Sequence, residues 1–227
     1  MVEVTSIYYE VHEYCADYLT DEPADYSVTT TQADIDFERE KSAREDEIED
    51  IPIRHFSDSY LEELAVYRKI AEKMLDFDTV LFHSSVVAVD GVGYLFTAKS
   101  STGKSTHTRL WRKYFGERAV MVNDDKPLLH IAESGIVVYG TPYNGKHRLG
   151  NNISVPLKAI CILTRSADNH IEEITREQEY TLLLQQVYRP ADMLKMAKTL
   201  EMVDRLSGGV KLYRLACNMD YFLTVVP

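Results

Sequence analysis

One stretch, residues 97–106, restricts the folds open to this chain more than any other feature. It reads Thr-Ala-Lys-Ser-Ser-Thr-Gly-Lys-Ser-Thr and follows an apolar run over 93–97 that predicts a β-strand. Behind it, apolar residues recur at helical spacing from residue 107 onwards. A strand, a polar loop and a helix in this order are typical of a phosphate-binding loop, in which backbone N–H groups surround phosphate oxygens at the positive end of the helix.

The end of this stretch carries the residue types that hold the phosphates of a nucleotide. In a phosphate-binding loop the lysine contacts the terminal phosphates and the next hydroxyl binds Mg²⁺, which assigns these roles to Lys104 and Ser105. Ala98 stands where the usual pattern has its first glycine, and a Ser/Thr-rich helix cap is the alternative interpretation. Since a cap does not require Gly-Lys-Ser, we predict a loop formed by Ser100, Ser101, Thr102, Gly103, Lys104, Ser105 and Thr106.

Composition limits the size and the partners of the protein. With 227 residues, we expect a small N-terminal β and acidic extension over 1–56 and one larger domain over 57–227. The 36 acidic side chains outnumber the 25 basic ones, and a formal net charge of −11 argues against nucleic acid as a partner. No secretory leader is evident and no apolar run approaches the ~20 residues that span a bilayer, so we expect a cytoplasmic protein that does not associate with membranes.

The N-terminal third mixes β-prone and acidic segments. Residues 4–14 and 26–30 are rich in β-formers, whereas 34–50 are dense in Asp and Glu without a sustained apolar period. We predict that 34–50 form a solvated surface segment; an acidic docking surface for a basic partner is the alternative. A capping box at Ser59 predicts the start of a helix, whose polar face would include Glu62.

The central segments predict a sheet that carries the site. Residues 80–89 are apolar and β-branched and end in Asp90-Gly91, which predicts a hairpin with 93–97. A further strand over 118–122 ends in Asn123-Asp124-Asp125. A strand, helix and strand at this spacing favour parallel strands whose carboxyl ends share one edge, which would bring both aspartates near Lys104. Beyond it we predict strands over 128–131, 136–139, 156–164 and 210–216 and helices over 176–188 and 191–206.

These residue types suit phosphoryl transfer from a nucleotide. Ser105 and one aspartate would hold Mg²⁺, and the other aspartate would take the proton of the acceptor hydroxyl; a pair of turn-forming aspartates is the alternative. In the polar loop over 140–152, Asn144, Lys146 and Arg148 could contact an anionic substrate, although a solvated basic loop fits the sequence equally well.

Three segments together resemble the catalytic domain of the HPr serine kinase/phosphorylase family, which shares its nucleotide fold with the ATP-dependent phosphoenolpyruvate carboxykinases. They are residues 83–93, 98–105 and 123–125. The resemblance implies an α/β, P-loop kinase-like domain with a mixed β-sheet and flanking helices. It also implies that Asp124 is the catalytic base, that Asp125 assists Mg²⁺, and that His83 lies beside the catalytic carboxylates and tunes Asp124.

The same resemblance sets the expected activity. It implies a kinase that uses ATP and Mg²⁺ to phosphorylate a hydroxyl, with serine of a peptide or protein as the first choice of acceptor. A kinase for a small molecule such as free serine is one alternative. A nucleotide-binding interaction protein without turnover is the other, because Ala98 and Ser101 stand where glycines are usual. Self-association is left open.

Overall fold

The structure, a computed structural model, describes residues 1–99, 102–145 and 147–218. The chain divides into two compact units, Met1–Lys73 and a second that begins at Met74. We expect a domain boundary between residues 56 and 57 from the sequence, and that boundary stays a prediction.

The first unit combines a small sheet with helices. Strand β1 (Val2–Thr5) pairs in parallel with β2 (Tyr26–Thr29), and the short helix α1 (Glu10–Tyr14) lies between them in the chain. The β-prone character of 26–30 is thus confirmed, whereas most of 4–14 lies outside the strand. Two longer helices complete the unit, α2 (Gln32–Ile48) and α3 (Asp58–Met74).

Residues 34–50 are largely exposed, as expected for a solvated surface segment, and most of them belong to α2. Its inward positions include two carboxylates, and both are paired with arginines. Glu38 is 3% exposed and accepts from Arg68 Nε at 2.5 Å, and the fully buried Asp46 accepts from Arg54 Nη2 at 2.6 Å. Because ion pairs replace apolar contacts along this face, the helix carries almost no hydrophobic periodicity.

Helix α3 begins within one residue of the predicted capping box. Tyr67 and Ala71 of the expected packing face are buried, whereas Tyr60 is exposed, and Leu61 and Ala65 are buried in addition. Glu62, which the pattern assigns to the polar face, is instead fully buried. The carboxylate accepts hydrogen bonds from the backbone amides of Ile7 and Tyr8, both at 2.7 Å.

The second unit is built on a mixed β-sheet. Its strands are β3 (Thr79–Leu81), β4 (Ser85–Val89), β5 (Val92–Thr97), β6 (Ala119–Asn123), β7 (Leu128–Ala132), β8 (Gly135–Tyr139), β9 (Ser154–Arg165), β10 (His170–Ile174) and β11 (Lys211–Cys217). The path runs β3-β7-β8-β9-β5-β4-β6, and β11 pairs with both β9 and β10. Strand β10 has no counterpart among the sequence predictions, and the single strand predicted over 80–89 is divided into β3 and β4.

The order of the central strands brings two carboxyl ends together. Strand β4 pairs antiparallel with β5 on one side and with β6 on the other. Strands β5 and β6 therefore run in the same direction, and both end at the edge where β4 begins. The prediction that their carboxyl ends share one edge is confirmed, with β4 between them.

Local turn chemistry explains the central hairpin. Asp90 and Gly91 connect β4 and β5 with φ values of 52° and 81°. Two successive positive φ angles are what a tight two-residue hairpin requires, and Asp-Gly is among the few pairs that adopt them readily. The predicted hairpin is confirmed for β4 and β5, whereas residues 79–81, at the start of the predicted strand over 80–89, form β3 and pair with β7 instead.

Helices cover both faces of the sheet. Helix α4 (Lys104–Phe115) packs on β4, β5 and β6, while α5 (Arg176–Gln186) and α6 (Met193–Gly209) pack together, with α6 against β3, β7, β8 and β11. Strand β9 separates two apolar clusters: Ile160 lies in the cluster with the α6 residue Met202, and Cys161 lies with Trp111 of α4. This unit is therefore an α/β structure with a mixed sheet and flanking helices.

Candidate active site

Four of the predicted functional residues, His83, Lys104, Asp124 and Asp125, lie together where β5 and β6 end and β4 begins. Helix α4 starts at the same edge, directly behind the loop that follows β5. Four short segments thus contribute side chains: the residues before and at the start of β4, the loop after β5, the first turns of α4, and the turn after β6.

The loop between β5 and α4 ends at a position whose backbone conformation favours glycine. Gly103 precedes the helix with φ of 122°, and among the described residues no atom outside its chain neighbours would lie within 4 Å of a Cβ at this position. The Thr102 hydroxyl donates to the carbonyl of Lys99 at 2.8 Å, which closes the turn before the helix. The observed order of strand, loop and helix agrees with the sequence prediction. Ser100 and Ser101 lie outside the described residues, so the phosphate-binding conformation of the loop stays a prediction.

Lys104 is the first residue of α4 and lies in a partly buried position. Its ammonium group donates to the carbonyl oxygen of Ala98 at 3.5 Å. Burial lowers the pKa of Lys104 below its ordinary value, against the opposing effect of the negative charges of Asp125 and Asp124. Ser105, the next residue of the helix, is exposed to solvent, and Thr106 is partly buried. A cation and an accessible hydroxyl thus occupy the start of the helix.

Asp125 lies beside the His83 ring. The distance from His83 Nε2 to Asp125 Oδ1 is 3.3 Å, and the Lys126 ammonium lies 3.9 Å from the other carboxylate oxygen. Burial alone would raise the pKa of Asp125, but the hydrogen bond from His83 and the charges of Lys126 and Lys104 outweigh it and hold that pKa below its ordinary value. Asp125 is therefore a carboxylate at neutral pH.

Asp124 lies deeper than its neighbour and contacts different side chains. It is 8% exposed, and its Oδ1 accepts a hydrogen bond of 2.6 Å from the Ser85 hydroxyl. The Ser85 oxygen is in turn 2.9 Å from the hydroxyl of Thr108 on α4. The two aspartates thus have separate surroundings, and His83 contacts Asp125 rather than Asp124.

Asn123 shapes the turn that carries both carboxylates. Its side-chain oxygen accepts from the backbone amides of Asp125 at 2.9 Å and of Lys126 at 2.7 Å. Its amide nitrogen donates to the Thr141 hydroxyl at 3.0 Å. An asparagine that binds the backbone two and three residues ahead holds a tight turn, so the fully buried Asn123 determines where the aspartates lie.

The residues predicted to contact substrate differ in accessibility. Asn144 is 6% exposed and its side-chain nitrogen lies 3.4 Å from the carbonyl oxygen of Thr141. Its side-chain oxygen is buried and has no hydrogen-bond partner within residues 1–99, 102–145 and 147–218. Arg148 is exposed on the loop, and Lys146 lies outside the described residues. Their role in substrate binding stays a prediction.

The side chains at this edge include oxygen donors that could hold Mg²⁺ together with a nucleotide. Within the part of the chain that the structure describes, no three His, Cys, Asp or Glu residues converge into a metal-binding group. Magnesium usually takes one or two protein oxygens and completes its shell with water and phosphate. The Ser105 hydroxyl and the two carboxylates are oxygen donors of this kind, and Lys104 supplies the positive charge that phosphates need.

Sequence reasoning missed the residues that support the carboxylates. Ser85, Thr108 and Asn123 are all buried: Ser85 binds Asp124, Thr108 contacts Ser85, and Asn123 binds the turn that carries the aspartates. For Asn123 a signal exists, since asparagine after a strand is typical of a turn that its side chain stabilises. No local pattern links Ser85 to Thr108, because they come from different elements.

Comparison with known proteins adds little to this geometry. No protein-family profile and no curated protein sequence matches the chain. Among solved structures, the chain is similar to the Hpr(Ser) kinase/phosphatase from Coxiella burnetii, at 15% identity over 56% of this chain and 90% of that one, with a TM-score of 0.30. A likeness this weak carries no argument about function. Across the described ranges, no helix combines the length and apolar character needed to cross a bilayer.

Proposed function

We propose that this protein is a kinase that uses Mg·ATP to phosphorylate a hydroxyl, with serine of a peptide or protein as the acceptor. The observation that carries the proposal is the meeting of Lys104 with Asp124 and Asp125 at the start of a helix that follows a strand and a polar loop. Phosphoryl transfer needs positioned phosphates, positive charge and a group that accepts the proton of the attacking hydroxyl. Each requirement has a candidate at this edge.

The start of α4 would bind the nucleotide. The backbone amides of residues 100–106 would surround the phosphates, and Lys104 would neutralise the terminal ones. The exposed Ser105 hydroxyl and the Asp125 carboxylate would hold Mg²⁺, which supplies charge neutralisation at the γ-phosphate when bound. The lowered pKa of Asp125 supports this role, because a metal ligand must be ionised.

Asp124 would accept the proton of the acceptor hydroxyl. It is nearly buried and held at Oδ1 by Ser85, so the carboxylate has a defined orientation. Because Ser85 binds Oδ1, we assign the incoming proton to the other carboxylate oxygen, Oδ2. His83 would act on this pair through Asp125, by fixing the second carboxylate beside the first.

The reverse distribution of roles is also testable. The contact of His83 with Asp125 favours a variant in which Asp125 takes the proton and Asp124 binds the metal side. The two versions differ in which substitution weakens binding of Mg·ATP. If Asp124 is the base, Asp124→Asn leaves nucleotide binding intact and slows transfer, whereas Asp125→Asn weakens binding.

The experiment uses ATP labelled on the γ-phosphate, incubated with Mg²⁺, the protein and an extract of its source cells. Protein, peptide and small-molecule fractions are then separated. We expect label in the protein or peptide fraction, abolished by Lys104→Ala and reduced on the order of 10²–10⁴-fold by Asp124→Asn, the usual contribution of a general base. Lys113→Ala, at an exposed position on the same helix, and Asp168→Asn, in an exposed loop, are the matched controls.

The outcomes separate the alternatives. Label confined to the small-molecule fraction would replace the peptide acceptor by a metabolite. Saturable binding of Mg·ATP with no labelled product in any fraction would instead favour a nucleotide-binding interaction protein. Transfer that survives Lys104→Ala would refute the phosphate-binding loop.

A further inference from the structure

The hydroxyl groups of two side chains form a chain of hydrogen bonds from α4 to Asp124. Thr108 lies one turn after Lys104 on α4, Ser85 is the first residue of β4, and Asp124 follows β6. Ser85 is fully buried and Thr108 is 1% exposed, so water does not compete for these contacts. Three elements of the fold are thereby joined through polar atoms at the candidate site.

The number of hydrogens determines the direction of this chain. Each hydroxyl has one hydrogen to donate. Ser85 uses its hydrogen in the 2.6 Å bond to the Asp124 carboxylate, so in the 2.9 Å contact the donor must be Thr108. Thr108 also lies 3.4 Å and 3.3 Å from the carbonyl oxygens of Lys104 and Ser105, both longer than its contact with Ser85.

We propose that Ser85 and Thr108 are positioning residues for phosphoryl transfer, which orient Asp124 so that its second oxygen receives the acceptor proton. This inference rests on the proposed function. A hydroxyl that itself accepts a hydrogen bond is a stronger donor, so Thr108 strengthens the bond from Ser85 to the carboxylate. Because Thr108 belongs to the helix that begins with Lys104, the same chain sets the position of the base relative to the bound phosphates.

The structure offers matched variants for a test. Ser85→Ala removes the donor to Asp124. Ser84→Ala is its control, because Ser84 is adjacent and fully buried, and its hydroxyl has no hydrogen-bond partner in the described part of the chain. Thr108→Val keeps the shape of the side chain without the hydroxyl, and Thr108→Ser keeps the hydroxyl. Fluorescence of the single tryptophan, Trp111 on α4, and melting curves report whether each variant is folded.

Transfer of label from γ-labelled Mg·ATP is measured as kcat and KM, with the acceptor fraction that the labelling experiment identifies. We expect Ser85→Ala to lower kcat on the order of 10- to 100-fold, the usual effect of losing a hydrogen bond to a charged group, with KM for Mg·ATP unchanged. Thr108→Val should lower kcat by a smaller factor, Thr108→Ser should restore it, and Ser84→Ala should match the unmodified protein.

A double variant separates a positioning role from a merely structural one. If Ser85 acts through Asp124, adding Ser85→Ala to Asp124→Asn causes no further loss of transfer, because no base remains to be oriented. Independent, multiplying effects would overturn the inference, as would a kcat for Ser85→Ala equal to that of the unmodified protein. If Ser85→Ala does not fold, the comparison of Thr108→Val with Thr108→Ser decides, and equal rates for those two variants would overturn it.

The test distinguishes failure of this inference from failure of the proposed function. An unmodified protein that transfers no phosphoryl group to any fraction would refute both, since Asp124 would then have no proton to accept. Transfer that depends on Lys104 and Asp124 but not on Ser85 or Thr108 would refute the positioning role alone.

Discussion

Replacing Glu62 by glutamine tests how the first unit is held together. The Glu62 side chain is fully buried on α3. Its Oε1 accepts from the Ile7 amide at 2.7 Å and from the Thr30 hydroxyl at 2.5 Å, while its Oε2 accepts from the Tyr8 amide at 2.7 Å. One carboxylate thus joins the segment after β1, the end of β2 and the helix.

The expected cost follows from counting acceptors. A glutamine has one oxygen, which can serve the two donors at the Oε1 position, so the Tyr8 amide then faces an NH₂ group. Losing one hydrogen bond to a charged acceptor costs about 1.5–3 kcal/mol, and the two that remain become weaker because the acceptor is neutral. We therefore expect Glu62→Gln to lower the free energy of unfolding by about 3 kcal/mol, a large share of the stability of a typical domain.

Urea unfolding followed by circular dichroism measures this change, and hydrogen exchange of a peptide covering Ile7 and Tyr8 locates it. Glu40→Gln, at an exposed position on α2, is the control and should change stability by less than about 0.5 kcal/mol. A Glu62→Gln protein as stable as this control, with unchanged protection of the two amides, would show that the carboxylate does not hold the segment.

Two further predictions concern the second unit. Asn123→Ala removes the acceptor for two backbone amides and should cost about 2 kcal/mol and slow transfer; unchanged melting would refute its role in the turn. His107 packs against Phe96 and Trp111, and burial lowers its pKa to about 4. Since the unfolded chain binds this proton at a pKa of about 6.5, stability is complete above that pH and falls by about 2 kcal/mol on going to pH 5. Denaturant titrations of His107→Phe should lack this contribution, and an unaltered pH dependence would contradict it.

Local patterns predicted most of the second unit. The hairpin of β4 and β5 follows from Asp90-Gly91, and α4 follows from the spacing of apolar residues behind Gly103. The shared edge of β5 and β6 followed from a rule on connections between strands. These features depend on neighbours in the chain or on simple topology. The roles of Lys104, Asp124 and Asp125 in binding and transfer remain predictions.

The first unit shows why periodicity failed elsewhere. Helix α2 turns Glu38 and Asp46 inward against arginines, and α3 buries Glu62 against backbone amides. A hydrophobic pattern identifies a buried face only when that face is apolar. When a carboxylate is buried with a partner elsewhere in the chain, the sequence shows only an acidic residue. The fold is needed to show that this residue lies in the interior.

The sequence by itself determined the segments that supply the candidate site, because strands, tight turns and helix starts depend on backbone conformations that neighbouring residues favour. Only the tertiary structure decided which side chains meet there. Strand β4 lies between β5 and β6, which places Ser85 beside Asp124. The packing of α4 on this sheet places Thr108 beside Ser85. Hydrogen bonds of this kind depend on register and packing between distant segments, which no local pattern encodes.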